Sequence, residues 1–253
     1  MMEQSPLLQK IVVLNPKGGS GKSTVATNLA AYYAWKGHRV ALMDMDPQAS
    51  SMRWLKIRPA DLPPIHGIAA YETRMGVTRA FAMRSPPGTE RLIVDTPAAV
   101  TGLQMPEIVR DASAIVVPVL PSDIDIHAAS RCIADLLLVA KVHRSEKRLV
   151  IVANRARRYT KAYQSLMRFL RSLRIPVAAV LRDSQAYVRS AETGMGLHEM
   201  KGALLQEDLD TFRPLVEWLE RRSFSLVPID EAQPAPAPAN TGDALTASGS
   251  ASA

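Results

Sequence analysis

Six short aliphatic runs, separated by turns and by stretches of helical periodicity, constrain this chain more than any other feature. They are Lys10–Leu14, Arg39–Asp44, Arg91–Asp95, Ala114–Val119, Arg148–Ala153 and Val177–Leu181. Each is nearly continuous in Val, Ile, Leu and Ala rather than alternating, as strands covered on both faces require. Helical patterns fall between them at Lys22–Lys36, Leu103–Arg110, Asp125–His143 and Thr160–Arg174, with a last one near Gln206–Arg222. Such alternation implies right-handed crossovers, so the expected class is α/β: a mostly parallel twisted sheet with helices on both faces.

Residues 52–90 fit this rhythm poorly. Pro59, Pro63, Pro64, Pro86 and Pro87 interrupt them, and they read as an irregular excursion with one helix near Thr73–Met83. From Pro228 onward there is no Lys or Arg, Pro and Ala alternate, and the end is rich in Ser, Ala and Gly. Such a composition buries too little apolar surface to offset its ordering entropy, so 225–253 is expected to be a disordered tail. A short lead, 1–9, and a single domain, 10–224, complete the organisation. The start of the chain lacks the features of a secretory signal, and no apolar run reaches the ~18 residues of a membrane span. One cysteine, Cys132, forbids an internal disulfide and any four-cysteine cluster within one chain. Its apolar helical setting makes it a core residue rather than a nucleophile. His127 and His143 have no ligand pattern near them. The expectation is a soluble protein of a reducing compartment.

The first run leads directly into Asn15-Pro16-Lys17-Gly18-Gly19-Ser20-Gly21-Lys22-Ser23-Thr24 and then a helix. Three glycines let the backbone curl until successive N–H groups face a phosphate, and the helix adds its positive N-terminal end. Lys22 is placed to neutralise the β- and γ-phosphates of a nucleotide, and the Ser23 hydroxyl to enter a magnesium shell. The usual pattern has glycine where this chain has Pro16, and an additional lysine, Lys17, follows it. Asp44, Asp46 and Asp95 stand at the ends of the second and third runs. Phosphoryl transfer needs charge neutralisation, a metal and a positioned water, and carboxylates at the C-terminal ends of parallel strands suit the last two. Asp44 reads equally well as a structural anchor for its loop.

Lys17 to Thr24 resembles the deviant phosphate loop of the ParA/MinD group of P-loop ATPases. Asp44-Met45-Asp46-Pro47-Gln48 resembles that family's first switch, and Asp95-Thr96-Pro97 its second. Val117 to Ser122 and Asn154 also sit where the family has similar residues, and the likeness runs over roughly 8–222. The resemblance implies an ATP-binding, magnesium-dependent ATPase that dimerises with ATP sandwiched between subunits. It implies that Lys22 and the amides of Gly18, Gly19, Ser20, Gly21 and Thr24 hold phosphates. Ser23 and, through water, Asp95 would hold Mg2+. Lys17 would reach the partner subunit's phosphates, Asp46 would orient water with Asp44 supporting the loop, and Asn154 would contact adenine.

Charge is concentrated in one stretch. Between Lys141 and Ser190 stand 13 basic residues and two acids, a net of +11, which leaves the rest at −4 within a total of +7. Thr160–Arg174 reads as an amphipathic helix with Lys161, Arg168, Arg171 and Arg174 opposite its apolar stripe. Arg155, Arg157 and Arg158 precede it, and Arg182 and Arg189 follow the next strand. Such cations bind duplex DNA through phosphates without reading sequence. The family resemblance agrees, implying non-specific nucleoid binding, hydrolysis triggered by a cargo-bound partner, and a cytoplasmic, nucleoid-associated location. The implied cargo is a plasmid, a chromosome or a protein assembly such as a microcompartment or chemoreceptor cluster. Two alternatives stand beside it: a membrane-cycling ATPase of the MinD kind, and a metabolic synthetase of the same class. The first needs an interfacial amphipathic helix, and Phe212–Arg222 reads instead as the closing helix of the domain.

Overall fold

The computed structural model describes residues 8–72, 84–98, 100, 104–202 and 205–221. Seven parallel strands form one sheet in the order β3-β2-β4-β1-β5-β6-β7. They are β1 (Gln9–Val13), β2 (Val40–Asp44), β3 (Ile65–Ala69), β4 (Arg91–Asp95), β5 (Ala114–Val119), β6 (Leu149–Ala156) and β7 (Val177–Arg182). The helices are α1 (Lys22–Trp35), α2 (Ser50–Lys56), α3 (Met105–Val109), α4 (Asp123–Leu138), α5 (Lys161–Ser172), α6 (Gln185–Thr193) and α7 (Gln206–Glu220).

Strand residues alternate between two cores. Val12, Met43, Val94, Val117 and Ile151 pack with α3, α4 and α5 on one face. Ile11, Val13, Leu42, Ile93 and Val152 pack with α1, α2, α6 and α7 on the other. Burial of both faces explains why the central strands carry unbroken aliphatic runs. Pro118 is tolerated in β5 because it lies beyond the stretch paired with β1, which ends at Val116. Ser122, Thr160 and Ser184 start α4, α5 and α6, each accepting a backbone N–H from two or three residues ahead.

Three elements depart from the sequence reading. Residues 52–90 hold β3, a paired strand in register with β2, where an irregular excursion is expected. Its sequence, Ile-His-Gly-Ile-Ala, lacks the continuous apolar signature because His66 and Gly67 lie exposed at the sheet edge. The short helices α2 and α6 also escape the periodicity, being two turns each. The helix expected near Thr73–Met83 and the tail 225–253 lie outside the described residues. The last helix is the closing element anticipated: Phe212, Leu215, Val216 and Trp218 of α7 are buried against the sheet.

Candidate functional site

β1 sits at the centre of the sheet between β4 and β5, where strand order reverses, and the loop after it occupies the crevice that open α/β sheets use for ligands. Asn15 anchors the loop's start. Its Nδ2 donates to the Pro118 carbonyl at 2.7 Å and its Oδ1 accepts the Lys17 N–H at 2.9 Å. Gly19 and Gly21 adopt φ of 76° and 94°, conformations that side chains oppose. Gly18 and Gly19 are exposed, so this part of the curled loop is open to solvent.

Gly21 is constrained twice. A Cβ there would lie 2.0 Å from Nδ2 of Asn154, which donates from the end of β6 to the Ser20 carbonyl at 2.9 Å. The other amide atom of Asn154, Oδ1, accepts the Arg155 N–H at 3.0 Å. The structure therefore places Asn154 as a clamp on the glycine-rich loop. Lys22 opens α1, is buried, and donates to the Lys17 carbonyl at 3.2 Å. Burial lowers its pKa, against the pull of Asp95 and Asp46.

Asp44 and Asp95 are paired in register at the ends of β2 and β4. Asp44 is fully buried and accepts from the backbone N–H groups of Asp46, Ser51 and Met52 at 3.0, 3.0 and 3.1 Å. It thus caps α2 from a distance and sets the course of the Asp46 loop. Asp46 is half-buried, and its Oδ1 accepts the Gln48 N–H at 2.9 Å. Ser51, in the first turn of α2, donates its hydroxyl to Oδ2 of Asp95 at 2.7 Å and so joins the segments that follow β2 and β4. Burial pushes the Asp95 carboxyl up to about 6, the neighbouring Asp44 adding to this while the Ser51 and Ser23 hydroxyls and Lys22 act against it.

Oδ1 of Asp95 is buried and makes no hydrogen bond. An orphaned carboxylate oxygen with a serine hydroxyl nearby suits Mg2+, which takes one or two protein oxygens and completes its shell with phosphates and water. Among the described residues no group of three or more His, Cys, Asp or Glu gathers as an all-protein cage. Cys132 is buried and its thiol pushed up to about 12 by that burial, consistent with a core role.

Lys17 is held within its own chain. Its Nζ pairs with Oδ2 of Asp125 at 2.7 Å, and that carboxylate, buried in the first turn of α4, also takes the Ser122 hydroxyl. Asp125 and Ser51 are the polar partners that sequence reasoning missed. The only local trace of Asp125 is the spacing Ser122-x-x-Asp125, a capping pattern whose second role depends on the tertiary fold.

Behind the loop runs a buried polar network. Asn28 of α1 donates to the Thr24 carbonyl at 2.9 Å and to Ser190 Oγ at 3.2 Å, and accepts the Leu197 N–H at 2.9 Å. Trp54 of α2 donates its indole N–H to the Ser190 carbonyl at 2.9 Å. Arg58, just past α2, forms a buried pair with Glu199 and donates to the Gly194 carbonyl at 3.2 Å. Gly194 approaches so closely that a Cβ would lie 2.6 Å from the Arg58 backbone.

The basic residues do not form one surface. Lys161, Arg168 and Arg171 are exposed on α5, on one face of the sheet, and Arg189 is exposed on α6, on the other. Arg155, Arg157 and Arg158 crown the end of β6 between them, and Arg174 lies beyond the far end of α5. Arg157 donates to Asp183 at 2.8 Å, and Arg182 pairs with Glu207 and Asp208. Among the described residues Arg155, Arg158, Lys161, Arg168, Arg171, Arg174 and Arg189 make no ion pair.

The family model for the "CobQ/CobB/MinD/ParA nucleotide binding domain" matches residues 11–197, spanning the glycine-rich loop, Asp44 to Gln48, Asp95 to Pro97 and Asn154. The chain belongs to this nucleotide-binding family. Its ParA/MinD resemblance extends to individual members. It is 31% identical over 219 residues to the maintenance of carboxysome distribution protein A of Gloeobacter kilaueensis, covering 83% of this chain and 94% of that one. The protein of the same name from Halothiobacillus neapolitanus is 25% identical over 72% of this chain and 82% of its own length. Among solved structures, the ATP complex of a Cyanothece McdA variant matches with a TM-score of 0.64 at 16% identity, over 87% of this chain and 99% of that one. The cell division protein MinD of Aquifex aeolicus matches with a TM-score of 0.62 at 18% identity, over 86% and 99%. At such identities what these structures share with the chain is the ParA/MinD fold.

Proposed function

We propose that the chain is a slow, partner-stimulated ATPase that dimerises around ATP, sits on nucleoid DNA while ATP is bound, and thereby positions an intracellular cargo. The carrying observation is the convergence of Lys22, Ser23 and the half-orphaned Asp95 carboxylate beside the curled loop, with the Asp46 switch tied to Asp95 through Ser51. Bound MgATP supplies the phosphoryl group and most of the charge neutralisation. Loop amides and Lys22 bind and orient the phosphates, while Ser23 and Asp95 offer oxygens to the metal. Asp46 accepts a hydrogen bond from the attacking water and so orients it, its loop held by the three backbone bonds to Asp44. Asn154 keeps the loop curled, and the family resemblance assigns it the adenine contact as well. Lys17 exchanges Asp125 for the partner subunit's phosphates when the dimer closes.

The cargo reading draws on the two relatives named for carboxysome distribution, which favour a protein assembly over a plasmid or chromosome. The unpaired cations around β6, α5 and α6 support DNA as the track. A partner on the cargo triggers hydrolysis, and the location is the nucleoid within the cytoplasm. Among the described residues no helix is long and apolar enough to cross a membrane, and the apolar face of α7 is spent on the core.

The test is binding to non-specific duplex DNA with ATP, ADP and no nucleotide, at two salt concentrations. Binding is expected with ATP, falling steeply with salt, and lost in Lys22→Ala. Equal binding in all nucleotide states, or in Lys22→Ala, would overturn the switch.

A further inference from the structure

The loop joining β6 to α5 holds an aromatic side chain that the fold does not use. Tyr159 is 95% exposed, so its ring packs against almost nothing. Its φ is +72°, a region in which a bulky residue is an outlier and which persists only where the surroundings impose it. They do so here. Thr160 caps α5 by accepting the Tyr163 N–H and donates its own hydroxyl to the Arg157 carbonyl at 2.9 Å, closing a turn with Tyr159 at its tip. Arg157 ties the base of that turn to Asp183, on the loop after β7. Arg155 near the end of β6, itself at φ +49°, Arg158 within the turn and Lys161 at the start of α5 are exposed and without an ion pair among the described residues.

A strained turn that keeps a tyrosine in water stabilises nothing in the folded chain, so its use lies outside it. Three exposed cations without an ion pair, within four residues of Tyr159 in the chain, argue for a polyanion over an apolar protein surface, since desolvating them against an uncharged partner is costly. On a duplex the bases are stacked away, and tyrosine hydroxyls are common donors to backbone phosphates. Resting on the DNA-binding reading above, we infer that Tyr159 is a duplex-DNA contact residue. Its phenol donates to a backbone phosphate while Arg155, Arg158 and Lys161 take flanking phosphates. The pre-formed turn supplies the donor with little ordering entropy left to lose.

The experiment titrates ATP-loaded wild type, Tyr159→Phe, Tyr159→Ala and Arg158→Ala against a non-specific duplex over a range of salt. Nucleotide affinity is measured in parallel as a check on folding. A neutral hydrogen bond to a charged acceptor predicts that both tyrosine variants lose roughly tenfold in affinity. Neither changes the slope of log K against log salt, because no charge is removed. Arg158→Ala reduces that slope by about one. Three outcomes overturn the inference: Tyr159→Phe binding like wild type, Tyr159→Ala weakening ATP binding instead of DNA binding, or a changed salt slope in Tyr159→Phe. Wild type that binds no duplex at any salt overturns this inference and the DNA reading together, whereas wild type that binds beside an equally tight Tyr159→Phe overturns the tyrosine contact alone.

Discussion

Replacing Gly21 by alanine meets two obstacles that a double-mutant cycle separates. The first is backbone strain: at φ +94° an L-residue is disfavoured by about 1–2 kcal/mol. The second is a collision, because the new methyl group would lie 2.0 Å from Nδ2 of Asn154. The amide must then swing away, breaking its bond to the Ser20 carbonyl and leaving buried polar groups unpaired, at about 1–3 kcal/mol. Gly21→Ala is therefore expected to destabilise by about 2–5 kcal/mol, and Asn154→Ala alone by about 1–3 kcal/mol. With the amide already gone, Gly21→Ala meets only the backbone term. The double variant should thus fall short of the summed single effects by about 1–3 kcal/mol, a coupling expected only of residues in contact. Urea midpoints of the four proteins, at unchanged m-value, give the coupling directly. Additive losses would refute the clamp, as would a Gly21→Ala protein as stable as wild type.

Asp95 supplies a pH test. Its folded pKa, raised to about 6, exceeds the unfolded value of about 3.9, so the native state binds more protons between the two. Its contribution therefore favours folding most at low pH and is lost as pH rises through 6, by about 3 kcal/mol. Asp95→Asn should gain stability relative to wild type from pH 4 to pH 7; a constant difference in urea unfolding between those pH values would sink the argument. Asp125→Asn should destabilise by about 1–3 kcal/mol, because the carboxylate is buried and also takes the Ser122 hydroxyl, while Lys17 keeps access to water. The same change should lower the ATP concentration at which light scattering detects the dimer, and an unchanged threshold would show that the Lys17–Asp125 pair does not restrain closure.

The parts of the fold that were legible carry their cause locally. Gly19 and Gly21 announce a curled loop because their backbone angles exclude side chains, and Lys22 and Ser23 follow at the spacing phosphate chemistry needs. The central strands announce themselves because both faces are covered. What escaped depends on partners far away in the chain. β3 is half exposed and acquires its identity from β2, while α2 is started by Asp44, six residues before its first turn. Asp125 reads as an ordinary first-turn acid until the fold brings Lys17 to it. The basic stretch reads as one surface along the chain, but β7 separates α5 from α6 and the crossover sends them to opposite faces.

The network around Ser190 has a mechanical consequence. Trp54 hangs from the helix that follows Asp46, Ser190 is the neighbour in sequence of Arg189, and Asn28 joins both to the helix that Lys22 begins. Sliding α2 past α6 would strand a buried indole N–H and a buried carbonyl, at about 1–3 kcal/mol for each unpaired group. Moving the two helices as one piece strands neither. A shift of the Asp46 loop that carries α2 with it is therefore expected to draw α6, and Arg189 on it, along.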